Sequence, residues 1–428
     1  LKALINANIY DFMNFQKNKY ILFDNKIEEI GDMKDFKYKE EAYDCKDSIV
    51  MPGLINCHTH VYSTFARGMN MPFNPKNFMD ILYQLWWKLD GNLDKEAIYF
   101  SGLIYGIDCL KCGVTTIIDH HASGLYIRGS LMELKKSLCD YLGLRGIFCF
   151  ESSDRFNIDE CIEENIEFCK KASDKHCGVF GMHASLSLND KSLNKISKAI
   201  ENTPIHVHVA ESIDDVLDCY KKYGKSIVER LDSFNLLKEN SILAHCVHIN
   251  EKEAQIISER NCYVVLNPTS NMNNAVGVSN YDVLRENNIK CMIGNDGLGA
   301  NITRDYLNIS FAMKNRLKSP TKFSLEDLKN VINNGYEYVS KMLGIKIGRI
   351  EKGYCADMIV VPYNPPTPID ESNILGHVFY GMFDNFHPRY VWIDGNCLLK
   401  DYNLTFDETD IYEKSKEQAQ KVWRRIEN

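Results

Sequence analysis

From about residue 50 onward, short runs rich in Val, Ile and Phe alternate with longer stretches whose apolar residues recur at every third or fourth position. The short runs read as strands: "VMPGLINCH" (50–58), "VTTIID" (114–119), "LRGIFCF" (144–150), "GVFGMH" (178–183), "IHVHVA" (205–210), "SILAH" (241–245), "CYVVLN" (262–267) and "KCMIGND" (290–296). The stretches between them, such as "LDKEAIYFSGLIYGIDCLKCG" and "DDVLDCYKKYGKSIVERL", read as amphipathic helices. Strand and helix repeated in this order close into a (β/α)8 TIM barrel, so an α/β fold with a barrel over 51–347 is expected. The ends break the rhythm. Residues 1–50 and 348–402 carry short strands and turns ("KYILFDNKIEEIG", "RYVWIDGNCLLK"), too few in either half to bury a core, which predicts one small β-sandwich built from both ends. Residues 403–428 read as a charged helix serving only as a surface element.

Composition narrows the class. Apolar residues make up 45% and charged residues 25% of the 428, which excludes disorder and fibrous repeats. A net charge of -8 without a Lys/Arg cluster argues against nucleic acid or an anionic membrane as partner. No apolar run reaches the roughly 20 residues of a membrane helix, and no signal peptide precedes them. Fifteen scattered Cys suit a reducing cytoplasm better than a disulfide framework, with Cys109 and Cys112 read as helix packing. The chain opens on Leu1 rather than Met, which leaves its native start open.

In a parallel barrel all strand C-termini face one mouth, so residues at those ends converge from distant parts of the chain. The first strand ends in His58 and His60, the fourth in His183, the fifth in His208 and Glu211, the sixth in His245 and the eighth in Asp296. Side chains alternate along a strand, so His58 and His60 share a face and can grip one ion. A lone H-x-H is weak evidence. Five of the twelve His at predicted strand ends, joined by two carboxylates, form a metal-site inventory.

The segments "MPGLINCHTH", "HVHVAES", "AHCVH", "NPTSN" and "GNDG" resemble the signatures of the amidohydrolase superfamily, in its cytosine deaminase and triazine hydrolase branch. "THVYSTFARGM", "IIDHHAS", "WWKLD" and "GNDGLGANITRDY" are most similar to SsnA-type aminohydrolases. The resemblance implies that His58, His60, His208 and Asp296 ligate one divalent metal, with Glu211 as proton shuttle, His245 beside the metal-bound water, and His183 touching substrate. Asp296 would also accept the proton that the water loses. Three imidazoles and one carboxylate leave the complex net positive, which favours that ionisation near neutral pH. Binuclear relatives carry a bridging Lys at the fourth strand's end, whereas "GVFGMHAS" offers His183, so one metal is expected. Zinc is the first choice, and Fe(II) or Mn(II) suit the same donors.

The implied activity is hydrolysis of a carbon-nitrogen bond in a small cyclic amidine or amide, first of all deamination of a purine, pyrimidine or related heterocycle. Ring opening of a cyclic amide, chlorohydrolysis, and a non-catalytic barrel scaffold are the alternatives. The resemblance also implies a homo-oligomer. Among weaker signals, His206 reads as support behind the ligands, and His248 as structural. Of the adjacent His120 and His121 only one can enter the pocket, and His121 is favoured as a substrate contact. Arg67 could bind a substrate carboxylate or carbonyl, or fasten its own loop by a salt bridge. Trp86, with Trp87 and Tyr83, could stack on a flat heterocycle, but neighbouring Trp residues on a helix should not both face the pocket. Asn267 and Asn271 are expected to fix the seventh loop through hydrogen bonds to backbone.

Overall fold

The computed structural model describes residues 1–37 and 41–427. All eight expected barrel strands form, in order, at Leu54–Thr59, Val114–His121, Arg145–Phe150, Phe180–Ala184, Ile205–Val209, Ile242–His245, Tyr263–Leu266 and Cys291–Ile293. They pair in parallel within two sheets. Two bridges join those sheets into a ring: Ser152 to Met182 between the third and fourth strands, and Thr59 to Asp296 between the eighth and the first. Closure of this second joint depends on Gly294, where a Cβ would sit 2.7 Å from the backbone of His58.

The first predicted strand is in fact two. Ser48–Pro52 belongs to the terminal sheet, and Leu54–Thr59 opens the barrel. Gly53 makes the crossing: its N–H donates to Asp357 O at 3.0 Å, and a Cβ there would lie 2.2 Å from Thr115. Continuous burial on both sides hid the break, because an unbroken apolar run carries no sign of which sheet it serves.

Among the described residues the terminal sheet has nine strands drawn from both ends of the chain. Ser48–Pro52 lies at its centre, antiparallel to Met358–Pro362 and parallel to Lys2–Tyr10. Trp392 is fully buried there, edge-on to Phe23 and Tyr43. Arg145, at the base of the third barrel strand, reaches Asp357 of this sheet with two hydrogen bonds of 2.7 and 3.0 Å. Removing one partner of such a buried pair costs about 3–5 kcal/mol, which makes it a strong rivet between barrel and sheet.

Two expectations about the C-terminus are corrected. Asn403–Leu404 extends the sheet, and the helix covers Thr409–Glu427. That helix does more than decorate the surface. Ile411, Ser415, Gln418 and Val422, spaced at three and four, turn inward, and Trp423 Nε1 donates to Phe65 O at 2.7 Å. It thereby clamps the segment that leaves the His58/His60 strand. Among the described residues no helix is long and apolar enough to cross a membrane. All fifteen Cys are free thiols.

Candidate active site

The strand ends converge as the topology requires. Donor atoms of His58, His208, His245 and Asp296 all lie within 4.8 Å of one another, as do those of His60, His120 and His208. Asp296 Oδ1 is 3.2 Å from His58 Nε2 and 3.0 Å from His60 Nε2. Hydrogen bonding fixes which nitrogens face the centre. His60 Nδ1 donates to His120 O at 2.7 Å and His208 Nδ1 to His183 O at 2.8 Å, and carbonyls only accept. The two Nε2 lone pairs are therefore left facing each other at 3.2 Å. Unprotonated lone pairs at that distance repel unless a cation lies between them, so this donor set fits a divalent metal. His206, one layer deeper, meets His58 Nδ1 at 2.9 Å and supports it from behind.

Strand ends also aim these groups through unusual backbone. Asp296 (φ 56) and His245 (φ 74) occupy the left-handed region, which costs a non-glycine residue on the order of 1 kcal/mol. Ser270 Oγ donates to Asp296 Oδ2 at 2.5 Å, and His245 Nδ1 donates to the Asn271 amide oxygen at 2.7 Å. The seventh loop thus steadies metal-site side chains, where the sequence suggested only backbone contacts. His245 Nε2 is buried without a hydrogen-bond partner and points toward Glu211, 3.5 Å away. Burial, reinforced by Asp296, raises the Glu211 carboxyl to about 7 against the pull of His245.

A pocket opens above these residues. His183 lines it, held by Ser187 at Nδ1 and 3.5 Å from Glu151 at Nε2. Trp86 and Trp87 both line it, contrary to the helical expectation. They sit where a π-helix, Leu82–Trp86, hands over to a short α-helix, and the wider turn lets the pocket wrap the helix end. Trp86 rests on Gly297, while Trp87 keeps a buried Nε1–H without a partner.

Two expected contacts fall elsewhere. His121 is fully buried outside the pocket, bonded to Ser123 Oγ at 3.0 Å and packed beside Phe150. Its neighbour His120 shares the inward parity of His58 and His60 and joins the cluster, so alternation along the strand chose the other residue of the pair. Arg67 is half-exposed, pairs with Asp108 at 2.6 Å, and faces a groove under the C-terminal helix. Its loop-fastening alternative is the one realised. His248 donates to Val276 O at 2.8 Å, a structural role.

Sequence reasoning overlooked Glu151, Asp90 and Asp215, all buried and lining the pocket. Glu151 directly follows the third strand, so the strand-end rule applied one residue further would have found it. It sits 3.3 Å from His120 Nδ1. Asp90 takes a bidentate contact from Arg155, 2.9 Å at each oxygen, a pairing between the short helix Trp87–Gly91 and a distant loop with no sequence signal.

Comparison with known proteins settles the lineage. The pattern of the Amidohydrolase family matches residues 49–398. The chain belongs to that family. Among curated amidohydrolase relatives, the chain is 29% identical to a 5'-deoxyadenosine deaminase of Methanocaldococcus jannaschii, over 95% of this chain and 97% of that protein. It is 28% identical to a 5-methylthioadenosine/S-adenosylhomocysteine deaminase of Thermococcus sibiricus, covering 91% of each. The fold superposes on a zinc-bound adenosine deaminase from Xanthomonas campestris with a TM-score of 0.84, over 98% of both chains at 19% identity. The chain is thus an amidohydrolase, a hydrolase of carbon-nitrogen bonds other than peptide bonds.

Proposed function

We propose that this amidohydrolase removes the exocyclic amine of an adenine nucleoside, using one divalent cation, zinc first, held by His58, His60, His208 and Asp296. The observation that carries the reading is Glu211, which lines the pocket with its carboxyl 3.5 Å from His245 of the His/Asp cluster. Deaminase relatives that align along nearly the whole chain support the nucleoside assignment. A single cation suits a fourth strand that ends in His183 without a lysine.

When bound, the cation supplies the positive charge that makes water nucleophilic near neutral pH. The protein's own groups do the rest. Glu211, with its carboxyl raised to about 7, can both take up and release a proton at working pH, and delivers it to the ring nitrogen beside the carbon under attack. His245, held by Asn271, presents Nε2 to the reacting oxygen or the departing amine. Trp86 and Trp87 stack on the purine and exclude water, and His183 fixes its orientation.

The test is direct. Zinc-loaded protein incubated with 5'-deoxyadenosine should release one ammonia per nucleoside as the adenine spectrum turns to that of hypoxanthine. Glu211→Gln should keep its zinc and lose roughly 10²- to 10⁴-fold in kcat. Loss of ring absorbance without ammonia would replace deamination by ring opening, and normal turnover by Glu211→Gln would remove the shuttle role.

A further inference from the structure

The pocket wall carries five carboxyl side chains, Asp90, Glu151, Glu211, Asp215 and Asp296, and among the described residues no Lys or Arg lines it. Most of these acids are already answered. Asp296 faces the imidazoles and the cation site, and Glu151 faces His120 and His183. Asp90 takes up the guanidinium of Arg155, which also lies 4.7 Å from the Trp87 ring and 3.5 Å from Glu151. That arginine is therefore spent behind the wall, and holds no anion in the pocket.

Asp215 is different. It stands in the first turn of the helix Ile213–Tyr223, 2% exposed, and its Oδ1 has no hydrogen-bond partner. Its charged surroundings are like-signed: Glu211 and Asp218 both press on it, and Asp218 itself is committed to Lys222 at 2.8 Å. Backbone N–H groups of Ala210 and Leu186 also reach this carboxyl, but a buried acid with one oxygen unanswered is costly, and a donor or cation arriving with a ligand relieves that cost. An arriving anion finds buried acids in a low dielectric and no cationic side chain to receive it.

We infer that this pocket selects its substrate by charge, taking neutral and cationic adenine nucleosides and turning away those with a phosphate or carboxylate, and that Asp215 is the residue that receives a positive substituent. The inference rests on the deaminase reading above and narrows it to a substrate class. The closure of Arg155 on Asp90 and the open oxygen of Asp215 are two halves of the same discrimination, one withholding a cation and the other offering an acceptor.

Titration calorimetry on zinc-loaded Glu211→Gln protein, in which turnover is blocked, tests it with 5'-deoxyadenosine, 5'-amino-5'-deoxyadenosine and adenosine 5'-monophosphate. The phosphate should bind about 100-fold more weakly than the neutral compound and the amine about fivefold more tightly. Adding Asp215→Asn should abolish the advantage of the amine. Adding Asp90→Asn, which frees Arg155, should narrow the phosphate gap about tenfold. Binding of the phosphate within about threefold of the neutral compound, survival of the amine's advantage in Asp215→Asn, or failure of all three compounds to bind would each overturn the inference. Ammonia release by the unaltered enzyme separates the two readings: release combined with charge-blind binding overturns selection alone, and absence of release with the binding order intact overturns the reaction alone.

Discussion

The mouth of the barrel and the segment that roofs it, residues 67–91, make one pocket by different means. At the mouth every group sits at the end of a strand, and backbone pairing fixes its position: His208 opposes Ala244, and Thr59 bridges to Asp296. The roof is a loop, a π-helical turn and two short helices, held by single contacts such as Asp90 to Arg155 and Trp86 on Gly297. Rigid pairing suits groups that must meet within a few tenths of an ångström, and a looser roof suits substrate choice, which tolerates variation.

The sharpest way to break this division is at the mouth. His208→Ala should lose its bound metal and drop kcat/KM by roughly 10³-fold or more, read by elemental analysis alongside activity. Retention of full metal would mean that His208 is not a ligand. At the roof, Trp87→Ala should raise KM about fivefold with little change in kcat, as expected for a lost aromatic face worth about 1 kcal/mol. Should kcat fall and KM stay put, the roof would share in the chemistry and the two regions would not be separable.

These two regions also differ in how far the sequence disclosed them. Strand-end His and Asp residues were readable because a parallel barrel converts a position along a strand into a position around a rim. His58, His60, His183, His208, His245 and Asp296 needed only that rule. Glu151 obeyed it too and was passed over by one residue. The choice between His120 and His121 depended on strand parity, which the His120–Cys149 register with the third strand makes plain once pairing is known. No comparable rule governs the roof. Trp87 faces the pocket beside a π-helical turn, and Asp90 is answered by Arg155 from a loop 65 residues away. Gly53 changes sheets inside an unbroken apolar run, where local pattern carries no boundary.

Smaller effects sharpen the comparison further. Asp305 props the seventh loop through Thr269 N–H, and burial raises its carboxyl from 3.8 to about 7. Between those values the folded protein holds a proton that the unfolded chain releases, so stability falls as pH rises through that window, by about 1 kcal/mol per pH unit. Asp305→Asn should make the decline in Tm from pH 4 to 7 shallower, and an unchanged slope would show that Asp305 ionises normally. Arg67→Ala, which removes only a half-exposed pair with Asp108, should change stability by less than about 1 kcal/mol and leave kcat/KM within about twofold. A large loss of activity would return Arg67 to the substrate.

The joint between the eighth and first strands has one more implication. It forms beyond the end of the eighth strand, where Asn295 and Asp296 donate to His58 O at 3.1 and 3.0 Å and His60 donates to Asp296 O at 3.3 Å, and residues 238 apart in sequence meet there as His58 and Asp296. On the proposed ligand set, a cation held from both sides of that joint would work as a clasp on the cylinder. Stripping it with a chelator should loosen the wall first along this line, so that amide hydrogens near 58–60 and 293–296 exchange earlier than those facing the opposite flank.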